Sequence, residues 1–158
     1  MNKAVALQRI AECMEKQATK LDLSRCYITD LNDLPQLWEC THLEELNLSW
    51  NQISDISVLA KLENLTYLDL SSNQISHIDC LAKLEKLITL DVSANQIVNF
   101  NILEKKKKLI SLTMIDNNLS DVSFLEDLTN LKYLNLDFNH ISNINSISKL
   151  TKLKLLSL

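Results

Sequence analysis

LTYLDLSSNQISHIDCLAKLEK, residues Leu65–Lys86, is the stretch on which the rest of the chain is written as variations. Moved back 22 residues it falls on Leu43–Asn64, LEELNLSWNQISDISVLAKLEN. Moved forward it falls on Leu87–Lys108, Leu109–Asn130 and Leu131–Lys152. One asparagine returns in every copy, at Asn51, Asn73, Asn95, Asn117 and Asn139. A fixed period of this length marks stacked structural units, none of which can bury its apolar face alone.

Within each unit, apolar and polar residues first alternate. Leu46/Leu48, Leu68/Leu70, Leu90/Val92, Leu112/Met114 and Leu134/Leu136 give the pattern of a half-buried strand. One strand per unit at the same phase predicts a parallel sheet. The later apolar positions, such as Ile75, Ile78, Leu81 and Leu84, are expected to point into the same interior. The asparagine follows the strand. Its amide both donates and accepts, so a ladder of asparagines can satisfy backbone groups that the turn leaves unpaired. Cys26 takes this position in the first unit, which is 25 residues long because Trp38-Glu39-Cys40 is added in its return segment.

The pattern Leu-x-x-Leu-x-Leu-x-x-Asn-x-Ile/Leu, continued by spaced Ile and Leu, resembles the leucine-rich repeat family in its 22-residue internalin-like and SDS22-like form. The segment Asn51–Leu65 is especially similar to the internalin pattern and lacks its proline, at Val58. The resemblance implies an α/β fold: a curved solenoid with one parallel β-strand per repeat on the concave face and short helical, 3-10 or irregular segments on the convex side. Residues 1–17 are expected to form an N-terminal capping helix, with Val5, Ala6, Leu7, Ile10, Cys13 and Met14 as its apolar stripe. Residues 18–158 form the solenoid, about six repeats plus the start of a seventh, and the whole is a single domain.

Composition excludes several chemistries. The chain has no glycine, so phosphate-cradling loops, dinucleotide fingerprints and nucleophile elbows are ruled out. A formal net charge of −4 argues against nucleic acid, whose binding is led by Lys and Arg. No apolar run approaches the roughly 20 residues of a membrane span. Cys13, Cys26, Cys40 and Cys80 show neither a C-x-x-C pair nor metal-ligand spacing, so no metal and no cofactor is expected. Reduced, mostly buried thiols and the lack of a signal-like start give a cytoplasmic expectation. His42, His77 and His140 occupy unrelated repeat positions, and no catalytic set is assigned.

The outward residues of the strands form columns on the concave face. They contain six acids (Asp22, Glu45, Asp69, Asp91, Asp116, Asp137) against two bases (Lys20, Arg25). Trp50, Tyr67, Tyr133 and Phe138 stand where the pattern requires no core residue, as interface anchors do. At about 4.8 Å per strand, Trp50 and Phe138 lie roughly 19 Å apart, a span that suits a protein partner. Glu45, Asn47, Trp50, Tyr67, Asp69, Asp91, Ile115, Tyr133, Asp137 and Phe138 are therefore the candidate binding residues, for a protein of basic or mixed surface. The chain reads as a protein-interaction module and not an enzyme.

Resemblance adds three variants of that reading. The opening ALQRIAECMEKQATKLDLS, Ala6–Ser24, resembles the cap and first repeat that precede Roco-type GTPase modules in bacterial proteins, which would imply the regulatory or scaffolding region of a larger protein. The SDS22-like form implies a phosphatase regulator, and the internalin-like form a bacterial factor binding a host protein. Two local departures complete the sequence. Lys105–Lys108 puts Lys106 where other repeats have leucine, and the convex segment is expected to loosen there. Leu153–Leu158 starts a strand without a polar cap, an exposed edge expected either to self-associate or to continue into a longer chain.

Overall fold

The computed structural model describes residues 2–158. The chain begins with α1, Asn2–Lys16, and then runs through seven three-residue strands. These are β1 (Lys20–Asp22), β2 (Glu45–Asn47), β3 (Tyr67–Asp69), β4 (Thr89–Asp91), β5 (Ser111–Thr113), β6 (Tyr133–Asn135) and β7 (Leu155–Ser157). All pair in parallel, in sequence order, as one open sheet. Each step of the register follows the repeat, so Leu21, Leu46, Leu68, Leu90, Leu112, Leu134 and Leu156 align in one row. The solenoid expected from the repeat is the structure that forms.

Short 3-10 helices carry the chain back, such as Ser57–Lys61 and Asp79–Lys83, each burying a leucine (Leu59, Leu81). The three residues added to the first repeat are absorbed by two successive 3-10 turns, Leu31–Asp33 and Pro35–Glu39. Proline enters the second of these at its start, where no intrahelical N–H is needed. The core is one continuous column of Leu and Ile from Leu21 to Leu150.

Helix α1 covers the open end of that column with Ala6, Ile10 and Cys13, one helical face, while Met14 packs at its margin. Val5 and Leu7, expected in the same stripe, are exposed instead. At about 100° per residue they point to either side of Ala6, away from the face that Ala6 shares with Ile10 and Cys13. The helix stops in a Schellman turn. Gln17 adopts φ 48°, its N–H donates to Met14 O, and Ala18 N–H donates to Cys13 O. No helix is long and apolar enough to cross a membrane among the described residues.

Lys106 corrects the expectation of a loosened fourth repeat. The 3-10 helix Asn101–Lys105 is as regular as its neighbours, and Lys106 is 5% exposed. Its Nζ donates to the carbonyls of Leu84 (3.0 Å) and Ala82 (3.3 Å) in the preceding repeat. The stem is buried, and two carbonyls take the head. Burial nevertheless pushes the Lys106 ammonium below the usual lysine range.

At the other end, Leu155, Leu156 and Leu158 are exposed, although Leu156 occupies a row that is buried in every preceding strand. The expected apolar edge is present.

Candidate functional site

The concave face is built by the turn that follows each strand. In the second column, a side-chain Oδ1 accepts the N–H two residues on: Asp22 from Ser24, Asn47 from Ser49, Asp69 from Ser71, Asp91 from Ser93 and Asn135 from Asp137. Asx turns of this kind end the strand and turn the chain out of the sheet. The Asp/Asn-x-Ser spacing, repeated in the first four units, was the sequence signal for it. Asn47, Asp69 and Asp91 therefore hold the turn with one oxygen. Asp69 and Asp91 keep a second oxygen for the face.

At the residue after each Asx turn closes, and at the matching Asp116 of the fifth repeat, the backbone enters the left-handed region. Arg25, Trp50, Ser72, Ala94, Asp116 and Phe138 all have φ between 49° and 56°. That region favours glycine or asparagine, neither of which occurs there. The conformation aims the amide of this residue at the next repeat: Trp50 N–H donates to Ser71 O, Ser72 to Ser93 O and Ala94 to Ile115 O. The side chain is thrown outward. Trp50 is 59% exposed and Phe138 82%. The repeat period predicted where these residues fall, but not the backbone strain they carry.

The asparagine ladder lies just beneath. Asn95 illustrates it: Nδ2 donates to Leu70 O and Val92 O, and Oδ1 accepts from Ile75 N–H at 3.0 Å. Asn51, Asn73 and Asn139 make the equivalent bonds. Asn117 keeps the donation to the preceding repeat, at Val92 O, and one to Ile115 O, but makes none to Met114 O, and its buried Oδ1 has no partner.

Of the other candidates, Tyr133 is exposed, while Tyr67, Ile115 and Asp137 are half-buried. Ile115 N–H donates to Ser93 Oγ, and Asp137 Oδ1 accepts from Ser157 Oγ. Glu45 pairs with Lys20 at 2.8 Å, and the Arg25 guanidinium lies 5.0 Å from the centre of the Trp50 ring. Both bases of the face are thus already engaged within it.

Glu45, Tyr67, Asp69 and Asp91 come together on β2, β3 and β4, with Asp69 beside Asp91 in the register. Burial raises the Tyr67 hydroxyl above the ordinary tyrosine value, and the surrounding carboxylates of Asp69, Asp91, Glu45 and Asp22 raise it further. Burial also raises the Asp91 carboxyl; hydrogen bonds from Ser93 oppose this and the Asp69 charge adds to it. Tyr133, Asp137 and Phe138 form a separate group on the sixth repeat. Tyr27, 65% exposed beyond the first turn, is an outward aromatic that the column reading missed.

Away from the face, Cys13 Sγ lies 3.9 Å from His42 Nε2, a pairing the repeat positions did not foretell. Burial raises the Cys13 thiol, and pushes those of Cys40 and Cys80 up to about 11 and about 12. These groups stay protonated and are poor nucleophiles. Among the described residues no group of three or more His, Cys, Asp or Glu side chains could hold a metal ion.

Comparison with known proteins agrees with this architecture. The family model described as leucine rich repeat matches residues 16–75 and 41–97, and a two-copy model of the same repeat matches 107–149. The fold is similar to a solved internalin (inlF) from Listeria monocytogenes, with a TM-score of 0.77 and 36% identity. That match covers 83% of this chain and 38% of the internalin's, so the chain spans well under half of that relative. An internalin C2 (inlC2) from the same organism gives a TM-score of 0.73 at 25% identity, covering 99% of this chain and 92% of that one. No curated protein matches the sequence.

Proposed function

The chain belongs to the leucine-rich repeat family, and from that premise we propose that it holds a protein partner of basic or mixed surface on its concave face. One observation carries the reading. Trp50 and Phe138 occupy a left-handed position where the backbone disfavours any side chain with a Cβ, and neither ring is buried. Core packing does not require them, since Ala94 fills the same position in the fourth repeat with φ 49°. Large aromatics that the fold does not require and that are offered to solvent serve contact with something outside the chain.

The charge of the face supports a basic or mixed partner. Lys20 and Arg25 are engaged with Glu45 and Trp50, which leaves Asp69 and Asp91 as open acceptors. Guanidinium or ammonium groups of a partner complement them. No reaction step is part of this reading, and a cytoplasmic address goes with it on the strength of the cysteine pattern. The two internalin matches favour, as a second reading, a bacterial factor that holds a host protein by this face over a phosphatase regulator or a GTPase-linked scaffold.

The test is a pull-down comparing the wild type with Trp50→Ala/Tyr67→Ala and with Phe138→Ala, after all three are shown to melt alike. Ala94 indicates that positions 50 and 138 accept alanine without harm to the turn. Loss of a specific band in the variants, and its weakening by salt in the wild type, supports the proposal. Bands that survive both variants unchanged overturn it.

A further inference from the structure

We infer that the junction between the fourth and fifth repeats is a hinge, about which the two parts of the concave face can change their mutual angle. On the asparagine side, among the described residues every other junction that carries a ladder asparagine is closed by two bonds. Oδ1 of the ladder asparagine accepts a backbone N–H of the repeat before (Ile28, Ile53, Ile75 or Leu119), and the residue after the asparagine donates its N–H to the carbonyl of that same residue. At the fourth junction both are missing. Asn117 Oδ1 has no partner, and Asn118 makes no bond to Ile97 O matching those of Gln52, Gln74, Gln96 and His140.

Two local features explain the gap. Asn118 replaces the Gln or His of the second, third, fourth and sixth repeats and sits at φ 55°, a left-handed turn that asparagine tolerates well and that swings its N–H away. Phe100 replaces Ile56 or Ile78 of earlier repeats and stacks on Phe124, with ring centres 5.7 Å apart. Two rings need more room than the aliphatic side chains of the neighbouring repeats. Between the turns lies a cleft of about 350 Å³, bounded by Ile97–Asn101 on one side and Asn117–Asp121 on the other.

The closed junction thus buries an acceptor without a donor, and opening it returns that oxygen to water. The strand side does not share the defect. Val92 N–H donates to Thr113 O and Ala94 N–H to Ile115 O across the same junction, and β4 and β5 keep their register. Bonds intact on one side and absent on the other define an axis. Trp50, Tyr67, Asp69 and Asp91 lie before it; Tyr133, Asp137 and Phe138 lie after it. The hinge follows from bonding within the chain and does not depend on what the face binds.

Amide hydrogen exchange on the free chain tests this. Ile97 and Asn118 N–H should exchange about tenfold or more faster than Ile75, Gln96 and Leu119, while Val92 and Ala94 stay protected. In a repaired chain carrying Phe100→Ile and Asn118→Gln, the residues of the third repeat's ladder, Ile97 and residue 118 should gain the protection of their counterparts. A repaired chain that melts no lower than the wild type shows the change is local. Equal protection of Ile97 and Ile75 in the wild type overturns the inference. So does fast exchange of Val92 and Ala94, which would mean separation of the repeats and not hinging, or a repaired chain in which Ile97 remains fast.

Discussion

Replacing Asn95 with alanine should cost far more than the same change at Asn117, although the two residues hold equivalent places in the repeat. Asn95 donates to Leu70 O and Val92 O at 3.0 and 3.1 Å and accepts from Ile75 N–H at 3.0 Å. The carbonyls have second donors: Asn73 Nδ2 also reaches Leu70 O, and Asn117 Nδ2 reaches Val92 O. Ile75 N–H has no such reserve and becomes a buried donor without a partner, at about 1–3 kcal/mol. Two lost donations add about 0.5–1.5 kcal/mol each, so Asn95→Ala should destabilise by about 3 kcal/mol. For a chain of this size that lowers Tm by about 6–12 °C. Asn117→Ala loses two donations but removes the orphaned Oδ1, so its cost should be about 1 kcal/mol. Equilibrium urea unfolding of both variants, with unchanged slopes, measures the difference. Equal losses would refute the reasoning, because they would mean that acceptance by Oδ1 contributes nothing.

Other substitutions probe the remaining local conflicts. Lys106→Leu restores the residue of Leu62, Leu84, Leu128 and Leu150 and should stabilise by about 1–2 kcal/mol in denaturant titration, because burying an ammonium costs more than two carbonyl bonds return. Since the folded-state pKa of Lys106 is lowered, the unfolded chain binds the extra proton, so wild-type stability should rise with pH from that lowered value up to the ordinary lysine value. Melting curves of Lys106→Leu should lack this rise. Asp91 has the opposite sign: its pKa is raised, the folded chain binds the extra proton, and the wild type should lose stability as pH climbs from the ordinary aspartate value through the raised one. Asp91→Asn keeps the turn, as Asn47 and Asn135 do, and should remove that loss in the same melts while weakening a basic partner. Ala94→Gly should stabilise by about 0.5–1 kcal/mol, relief of left-handed strain exceeding the added freedom of the unfolded chain.

The fold was legible because period is a strong signal: a residue such as Leu68 has one structural meaning once Leu46 and Leu90 stand 22 residues away on either side. Columns of outward residues followed from the same arithmetic, and the register confirms them. What the period could not show is what differs between copies. Val5 and Leu7 were read into one stripe with Ala6, but only the face that Ala6 shares with Ile10 and Cys13 meets the core end. Lys106 looked too polar to bury, since its two carbonyl acceptors come from another repeat and have no sequence signature. Asn117 looked like Asn95, and the broken bond depends on Asn118 and Phe100, residues whose effect arises only when two turns are packed together.

The left-handed position after the strand ties architecture to function in this chain. Glycine there would relieve the turn, and the chain contains none. Where the repeat has only to fold, a small residue suffices, as at Ser72 and Ala94 in the middle of the face. At Trp50 and Phe138, toward its two ends, the same backbone angle carries the most exposed rings of the site. The strain is common to all six positions, so it cannot itself be the source of binding. What it does is hold the side chain out from the sheet at a fixed angle, which reduces the freedom a partner must remove on contact. Anchors fixed in this way at both ends of the face, with acids between them and a weak junction between the fourth and fifth repeats, suit a partner that touches both ends at once. A ligand gripping one repeat would need neither the second ring nor the weak junction.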